Sequence, residues 1–560
     1  MLDALRTARD SLLDAVRVAP GWLTTYSMLQ LVLAVLPGAQ VVLIRSLVDG
    51  GGTWGPLLGL TFVVGAMYPL TQVSNIAGQR MMLRLRLDYR VELARAAARL
   101  SPSRLADPEV VRDLEAGQAA THPMSDVAGK PVQVLSAAVT SVLLCIAIAS
   151  INLLSGILVL AALVPTVLAF TLISRMEAKG WPRVAECDRA AAYATEQLIQ
   201  QRSGTELAVL GSGWKVADLI AGSRTQATHV LDQMIWTAMN FELAAALVTV
   251  MLFGGALIAL VAGGANGGAA AAAVAGTITG LNAIRQCGYA FGSIVTAAPQ
   301  ALIYRRFVRS VPAAAPQTVV PHVESVALDE VDFGYGDQPV LRDVCIEARR
   351  GELVALVGVN GAGKSTAINL LVGSLSPDSG RVLIDGKDAA HLTEAERLGY
   401  FGLLVQEFGR FEFTLRDAVG LGSPGVAADE DVRTALADTF AADLSLDTQL
   451  GQQWGGTGIS GGQWQRLALA RIRLRNAGVW ILDEPTSAID AEAEREIFAD
   501  LRRTSADRVT IVVSHRAWTL REMDRIYVID DGAVVQQGTY AALMSHPTGR
   551  FARLFAAQRE

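Results

Sequence analysis

Two segments in the C-terminal half of the chain carry residue types that could do phosphate chemistry. The first runs from Gly358 to Thr366 and follows an apolar run, Leu353-Val-Ala-Leu-Val. Its members are Gly358, Asn360, Gly361, Gly363, Lys364, Ser365 and Thr366. Glycine permits the backbone conformations that turn several amide N–H groups towards one phosphate. Lys364 can reach the β- and γ-phosphates and Ser365 can ligate Mg²⁺, so this segment by itself predicts a nucleotide-binding P-loop.

The second segment, Val479-Trp-Ile-Leu-Asp-Glu-Pro, places two carboxylates after four apolar residues. The apolar run predicts a buried strand, with Asp483 at its carboxyl end holding Mg²⁺. Glu484 follows directly and is suited to orient or deprotonate an attacking water. The structural alternative is an acidic pair that caps a helix before Pro485.

A third segment, Ser460-Gly461-Gly462-Gln463, is a polar turn that opens a predicted helix. Its amide N–H groups and hydroxyl offer a site for another anion. Because the loop at Gly358 already has amides for its own nucleotide, the second anion site indicates ATP held between two copies of the domain.

These segments together resemble the ATP-binding domain of ABC transporters, over about 322–560. Ser460 to Gln463 match the family signature, with Ile459 in place of the usual leucine. The resemblance implies that Tyr335 stacks on adenine and that His515 contacts the γ-phosphate. It implies that Gln406 senses the γ-phosphate and Mg²⁺ and faces the membrane domain.

The resemblance also extends to a segment that communicates across a dimer, Ser487-Ala-Ile-Asp490, where Ile489 replaces a leucine. Both isoleucines conserve volume and leave polar contacts unchanged. The loop 451–458 lacks the glutamate common in ABC exporters, which bears on coupling and not on hydrolysis. The implied catalytic residues are therefore Glu484, His515, Gln406 and Lys364, and the implied Mg²⁺ ligands are Ser365, Gln406 and Asp483.

The N-terminal half has a different composition, because long apolar stretches alternate with arginine-rich connectors. Only 18% of the 560 residues are charged and the mean hydropathy is +0.34, so part of the chain should lie in lipid. Six stretches are long enough to span a membrane: 22–47, 54–78, 131–151, 155–175, 235–262 and 268–300.

The two connectors 80–130 and 175–234 are rich in arginine and lysine, whereas the others are short and nearly uncharged. The positive-inside bias therefore places both connectors and both termini in the cytoplasm. Leucines continue at helical spacing beyond the spans, which predicts helices that extend into the cytosol.

Residues 1–20 carry an apolar helical face, which predicts a helix on the inner membrane surface. An ordinary amphipathic helix of a soluble fold is the alternative.

The expected fold is a multi-domain membrane protein, with an all-α six-helix domain and an α/β P-loop cassette. The expected boundaries are 1–20 for the interfacial helix, 21–311 for the membrane domain, 312–321 for a proline-punctuated linker and 322–560 for the cassette. This arrangement resembles an exporter-type ABC half-transporter, which implies a dimer with an identical or related chain. The resemblance also implies that each connector carries a short helix that docks on a cassette, and the candidates are 107–117 and 203–215.

The leading hypothesis is ATP-driven export of a hydrophobic or peptide-like compound across the cytoplasmic membrane. The alternatives are an importer with an exporter-type fold, for example of a siderophore-like compound, and an ATP-gated sensor that moves no cargo. The net charge of −6 shows no excess of basic residues of the kind that binds nucleic acid. Four scattered cysteines argue against a disulfide framework or a zinc site.

One membrane residue stands out, Arg285, because a charge inside a span normally faces protein or a water-filled cavity. We expect either a cavity-lining contact with an anionic or carboxylate-bearing substrate, or an internal pairing or snorkelling role near the outer boundary. Glu242 is expected at the inner interface.

Overall fold

The computed structural model describes residues 2–49, 54–150, 152–263, 267–312, 318–437, 439–485 and 491–555. The chain divides into two compact units, one made of Met1–Arg99 and Pro108–Pro312, the other of Leu100–Asp107 and Ala313–Glu560. The first is helical where it is described and the second is α/β, so the predicted fold class is confirmed. The predicted segment Ser487–Asp490 and half of the predicted linker, 313–317, lie outside the described residues.

Long helices make up the first unit. The helices up to residue 310 are α1 Leu2–Val18, α2 Pro20–Asp49, α3 Trp54–Ala97, α4 Pro102–Leu105, α5 Pro108–Val127, α6 Lys130–Ala149, α7 Leu153–Ala161, α8 Leu163–Ile199, α9 Gln201–Val209, α10 Gly213–Ala262 and α11 Gly267–Ser310; α4 belongs to the second unit. The predicted extension of the spans into longer helices is confirmed, because α3, α8, α10 and α11 all continue well past the apolar stretches.

Five stretches of described helix are long and apolar enough to cross a membrane: Pro20–Val48, Trp54–Ala97, Pro108–Ala149, Leu153–Ile199 and Gly213–Ala262. They contain the first five predicted spans. The sixth predicted span lies in α11, which the same criterion does not select among the described residues. Between the third and fourth predicted spans, Asn152 caps α7 by accepting a hydrogen bond from the Ser155 amide at 3.1 Å.

Helix α1 packs on the first unit through a face of small side chains. The buried residues of that face are Ala4, Thr7, Ser11 and Ala15. Leu5, Leu13 and Val16 lie on the opposite face and are more than half exposed. An outward apolar face is what a helix at a membrane surface needs, so the interfacial role of residues 1–20 stays a prediction with this added support.

An ion-pair network fastens α1 to α11 and α3. The Arg305 guanidinium lies 3.3 Å from an Asp10 oxygen and donates to Asp14 at 2.9 Å. The Tyr89 hydroxyl donates to the same Asp14 oxygen at 3.0 Å. Tyr304 in turn donates to the Tyr89 carbonyl at 2.9 Å. Two carboxylates on one helix thus share one cation on another.

We expect Arg305→Ala to destabilise the first unit by about 1–3 kcal/mol, because Asp14 loses its cation and Asp10 keeps only the exposed Arg9. Thermal unfolding in detergent, monitored by tryptophan fluorescence, measures this as a lower midpoint. Arg306→Ala, one residue further on, is the matched control. An Arg305→Ala midpoint equal to that of the control would contradict the network's role.

The connector helices differ from the sequence prediction at the first docking segment. Residues 108–117 lie in the long helix α5 and not in a separate short one. The short helix is α4, Pro102–Leu105, where the Ser103 hydroxyl and amide donate to the Glu394 carboxylate at 2.8 and 3.2 Å. Pro102 and Pro108 set the two helix starts, since proline favours the first turn. The second candidate, 203–215, contains the end of α9 and the break before α10.

The rest of the second unit alternates strands and helices. Its strands are β1 Ser325–Tyr335, β2 Gln338–Arg349, β3 Leu353–Val357, β4 Ser379–Ile384, β5 Lys387–Asp388, β6 Phe401–Leu404, β7 Val479–Asp483, β8 Val509–Val513, β9 Arg525–Asp530 and β10 Ala533–Gly538. Its helices are α12 Lys364–Val372, α13 Glu394–Leu398, α14 Leu415–Gly420, α15 Asp429–Leu436, α16 Gly461–Arg475, α17 Ala491–Ser505, α18 Ala517–Leu520, α19 Tyr540–Met544 and α20 Arg550–Leu554, with 3₁₀ turns at Ala389–His391 and Gln452–Trp454.

Two sheets form from these strands. The six-stranded sheet has the order β10-β9-β3-β8-β7-β6 and is parallel except for β10. The four-stranded sheet, β2-β1-β4-β5, is antiparallel. Every residue of β3 and β8 is buried, as expected for parallel strands covered on both faces. The predicted largely parallel sheet is therefore confirmed, and its carboxyl edge is where ligands bind in such folds.

Candidate active site

Four parallel strands deliver the predicted site residues to one cleft of about 840 Å³. The loop at Gly358 follows β3, Gln406 follows β6, Asp483 ends β7 and His515 follows β8. The cleft is lined by Tyr335, Val340, Asn360, Gly361, Gly363, Lys364, Ser365, Thr366, Gln406, Asp483, Glu484, Val513 and His515. The structure therefore brings together every predicted site residue except Gly358 and the turn 460–463.

Glycine geometry shapes the loop between β3 and α12. Gly361 and Gly363 have φ values of +81° and +105°, a region that side chains with a Cβ rarely adopt. A Cβ on Gly363 would also lie 2.5 Å from the Leu341 side chain. The loop then opens directly into α12, whose first residue is Lys364, so amides at a helix N-terminus face the cleft.

The Lys364 ammonium is held against its own loop. It donates to the carbonyls of Gly358 and Val359 at 2.9 and 3.1 Å. An ammonium has three donors, so one remains for a phosphate oxygen. Burial lowers the pKa of Lys364, and the negative charges of Asp483 and Glu484 oppose that shift. A phosphate anion beside the lysine would favour its charged form.

Glu484 has a strained backbone at the end of β7. Its φ is +48°, in the left-handed region that costs a residue with a Cβ roughly 1 kcal/mol or more. Two hydrogen bonds fix this conformation, one from the Glu484 amide to the Val513 carbonyl at 3.1 Å. The other runs from the Gln465 amide group to the Glu484 carbonyl, also at 3.1 Å. The strain turns the side chain away from the strand and into the cleft.

The Glu484 carboxylate is held through both of its oxygens. Gln406 donates to Oε2 at 3.1 Å, and His515 Nε2 lies 3.0 Å from Oε1. The side chain is only 23% exposed. A carboxylate with fixed orientation in a cleft is the geometry that a general base requires.

Asp483 sits deeper in the same cleft. Burial, followed by the neighbouring charge of Glu484, raises the pKa of Asp483, whereas Lys364 and His515 lower it. Two adjacent carboxylates in a partly buried cleft disfavour each other's charge, and a bound cation relieves that repulsion.

Gln465 belongs to the site although its type and position in the sequence did not single it out. It is 1% exposed and lies on α16, the helix that begins at the Ser460 turn. It therefore links that turn to the strained backbone of Glu484. The sequence signal was weak, because only the helix register shows that this polar residue faces inward between Trp464 and Leu467.

We expect Gln465→Leu to lower kcat for ATP hydrolysis about 10-fold, because the Glu484 carbonyl loses a donor worth about 1–2 kcal/mol. The KM for ATP should change little, since Gln465 lies outside the cleft lining. Gln465→Glu, of equal length but without the donor, should show the same loss. A fall in thermal stability with kcat unchanged would show a merely structural role.

The turn 460–463 does not line the cleft of its own chain. Ser460 caps α16 by accepting from the Gln463 amide at 3.3 Å, and Gln463 accepts from the Ser460 amide at 2.7 Å. This reciprocal capping fixes the turn. Tyr335, by contrast, lines the cleft, is 55% exposed and packs edge-on against Phe333.

Comparisons with known proteins agree with this geometry. The family model described as "ABC transporter" matches residues 341–487. A β-(1→2)-glucan export ATP-binding/permease protein of Rhizobium etli is 37% identical over 42% of this chain and 40% of that protein. An ATP-dependent lipid A-core flippase of Syntrophus aciditrophicus is 36% identical over 42% of this chain and 39% of that protein. A mycobactin import ATP-binding/permease protein of Mycolicibacterium smegmatis is 37% identical over 44% of this chain and 43% of that protein.

The matched part thus spans about two fifths of the length of these relatives. A solved bacterial Atm1-family ABC exporter with ATP bound covers 99% of this chain and 98% of its own, with a TM-score of 0.79 and 23% identity. At that identity the likeness concerns the fold. The chain therefore carries the ATP-binding domain of the ABC transporters behind a region of membrane-length helices, in the fold of an ABC exporter.

Proposed function

We propose that the chain is one half of an ATP-hydrolysing transporter that dimerises and exports a hydrophobic or peptide-like compound across the cytoplasmic membrane. The observation that carries this proposal is the cleft that collects Lys364, Gln406, Asp483, Glu484 and His515 in a chain that also has membrane-length helices. ATP is the substrate, and its hydrolysis drives the translocation. The working boundaries are 1–20, 21–311, 312–321 and 322–560.

In this proposal the chain's own groups position the reaction. The loop amides and Lys364 hold the phosphates, His515 contacts the γ-phosphate, and Tyr335 stacks on the adenine. Glu484 accepts a proton from the attacking water, and Gln406 and His515 keep its carboxylate oriented. These groups act mainly by positioning and electrostatics, as phosphoryl transfer requires.

Ser365, Gln406 and Asp483 would hold Mg²⁺, because all three offer the oxygen ligands that this ion prefers. When bound, Mg²⁺ supplies charge neutralisation at the phosphate oxygens. Among the described residues there is no cluster of three or more His, Cys, Asp or Glu side chains suited to a metal. A site with few protein ligands fits an ion that binds mostly to phosphates and water.

Two chains complete the site in this proposal, because the turn 460–463 does not line the cleft of its own chain. Each ATP then lies between the loop at Gly358 of one chain and Ser460 to Gln463 of the other. Closure of the two cassettes on ATP moves the membrane helices, and hydrolysis resets them. The partner is an identical or a related chain, and the cassettes lie in the cytosol.

The test is ATP-driven flux in sealed vesicles that contain this chain as its only protein. We expect accumulation of a hydrophobic or peptide cargo on the side opposite the cassettes, with none for Glu484→Gln. Hydrolysis without flux for every cargo would favour an ATP-gated sensor. Flux towards the cassettes would favour import, a candidate supported by the likeness to the mycobactin import protein.

We expect Glu394→Ala to lower flux per ATP hydrolysed about 3- to 10-fold, because α4 loses the carboxylate that binds Ser103 through two hydrogen bonds. Parallel assays of phosphate release and cargo accumulation give the ratio. Glu430→Ala, at an exposed site on α15, is the control. An unchanged ratio for Glu394→Ala would remove α4 from the coupling route.

A further inference from the structure

A cavity of about 730 Å³ lies among α8, α10 and α11 in the first unit. Most of its wall is apolar, with Phe170, Leu243 and Val250 as large members. The remaining wall is polar and includes two charged side chains of opposite sign, Glu242 and Arg285. A mostly apolar pocket with a few convergent polar groups is the usual form of a small-molecule site.

The two charges face the same cavity without neutralising each other. Among the described residues, no salt bridge joins Glu242 or Arg285 to any side chain. The sequence expectation placed Glu242 alone at the inner interface, and its position beside Arg285 in one cavity is the new observation. An unpaired acid and an unpaired base in one pocket are complementary to a ligand that carries both a cation and an anion.

Both charges lie at the same depth. At a helical rise of about 1.5 Å per residue, Glu242 lies about 30 Å from the end of α10 at Ala262. Arg285 lies about 27 Å from the start of α11 at Gly267. If the 262–267 ends of the two helices lie at one face of a hydrocarbon core of about 30 Å, both charges lie at its other face, which is cytoplasmic in the predicted topology and accessible to phospholipid headgroups and cytosolic solutes. A charged side chain that lines a cavity at this boundary does not pay the free-energy penalty of contact with hydrocarbon.

Thr249 adds a buried hydroxyl without a partner to the same wall. It lines the same cavity, is only 4% exposed, and its hydroxyl has no hydrogen-bond partner among the described residues. Other helical threonines of the described chain bond a carbonyl three or four residues earlier, as Thr121 does to Gln118 and Thr296 to Gly292. A buried polar atom without a partner normally marks a missing ligand or water.

We propose that this cavity binds a zwitterionic amphiphile, with its anionic group on Arg285, its ammonium on Glu242 and its apolar body against Phe170 and Leu243. The proposal rests on the proposed transport function, since such a ligand would be the cargo. A phospholipid with an aminoalkyl phosphate head and a free apolar peptide share this chemistry. Both can reach a cavity at the cytoplasmic boundary of the membrane.

Equilibrium binding to the full-length protein in a non-ionic detergent tests the charge requirement. Three fluorescent probes share one labelled acyl chain: a lysophosphatidylethanolamine with both charges, a lysophosphatidylglycerol with the anion alone, and an alkylamine with the cation alone. We expect the zwitterionic probe to bind at least about 10-fold more tightly than either of the others. Equal affinities for the three probes would overturn the proposal.

Charge-removing variants assign the two poles. Arg285→Gln should weaken binding of the zwitterionic and anionic probes about 10-fold and leave the cationic probe unchanged. Glu242→Gln should weaken the zwitterionic and cationic probes and leave the anionic probe unchanged. Arg189→Gln, at an exposed position on α8, is the matched control. Binding is measured only for variants that elute from size-exclusion chromatography as a single monodisperse peak. The two variants test the poles separately, so one that fails to fold leaves the other decisive.

An unlabelled peptide, Leu-Leu-Phe with free termini, distinguishes the two sources of the ligand. Displacement of the zwitterionic probe by the peptide assigns the site to soluble peptides, and displacement only by lysophosphatidylethanolamine assigns it to lipid. If either Arg285→Gln or Glu242→Gln left the affinities of all three probes unchanged, the proposed zwitterion site would be wrong. These measurements contain no ATP, so such a failure leaves the vesicle test of ATP-driven flux unaffected.

Discussion

Glu484→Gln should reduce steady-state ATP hydrolysis by at least about 100-fold, because a glutamine of the same shape cannot take a proton from the attacking water. The Gln406 hydrogen bond can persist, since the amide oxygen of the new side chain still accepts. The dissociation constant for a fluorescent ATP analogue should stay within about 2-fold, because the loop amides and Lys364, which hold the phosphates in this proposal, are unchanged. Phosphate release by reconstituted protein measures the first effect, and fluorescence titration measures the second.

Glu522→Gln, at an exposed carboxylate outside the cleft, is the control for this change. Near-normal turnover by Glu484→Gln would move the general base to another group of the cleft. Loss of nucleotide binding together with turnover would instead make Glu484 a binding residue.

The positive φ of Glu484 gives this prediction a second measurable consequence. Glycine adopts that conformation without strain, so Glu484→Gly should raise the thermal midpoint while it abolishes hydrolysis. Stability and activity then change in opposite directions at one residue. The strain persists in the native chain because two buried partners, the Val513 carbonyl and Gln465, hold the backbone.

The cassette was predictable because its signals are local. Apolar runs of four or five residues predict buried strands, and in a parallel sheet their carboxyl ends meet at one edge. In the observed strand order β7 and β6 are neighbours and only β8 separates them from β3. Lys364, Asp483 and Gln406, which follow or end these strands, therefore lie close together. The glycine-rich loop adds a backbone requirement that few other residues satisfy.

The parts that sequence patterns missed depend on tertiary register. Gln465 is polar and lies beside the signature turn, but its burial follows from how α16 packs against β6 and the helices α14 and α15. Helix α4 was predicted several residues too late, since a four-residue helix bounded by prolines has no periodicity to detect. Glu242 and Arg285 lie on different helices, and their common depth follows only from where α10 and α11 begin and end.

Ser460→Asp should also lower hydrolysis by at least about 100-fold if the turn 460–463 contacts a phosphate, because the change brings a carboxylate against another anion. Aspartate caps a helix as well as serine does, so α16 and the thermal midpoint should be preserved. Ser460→Asn caps equally well without the charge and is the matched control. Equal activity of the two variants would remove the turn from the ATP site.

Doubly tagged heterodimers then show which chain supplies the turn. When Ser460→Asp and Glu484→Gln are on separate chains, a site shared between chains leaves one composite site intact and one with both lesions. Such heterodimers should keep about half of the wild-type turnover when the sites act independently. When both changes are on one chain and the partner is wild type, each shared site carries one lesion and hydrolysis should be lost.

A site built within one chain predicts the opposite order. Separate lesions would then disable both chains, whereas the doubly changed chain would leave its wild-type partner active. The two arrangements differ only in which chain provides Ser460, so differences in folding or expression affect both heterodimers alike. Greater turnover with the lesions on separate chains therefore requires ATP to lie between two chains, which makes dimerisation a condition of catalysis.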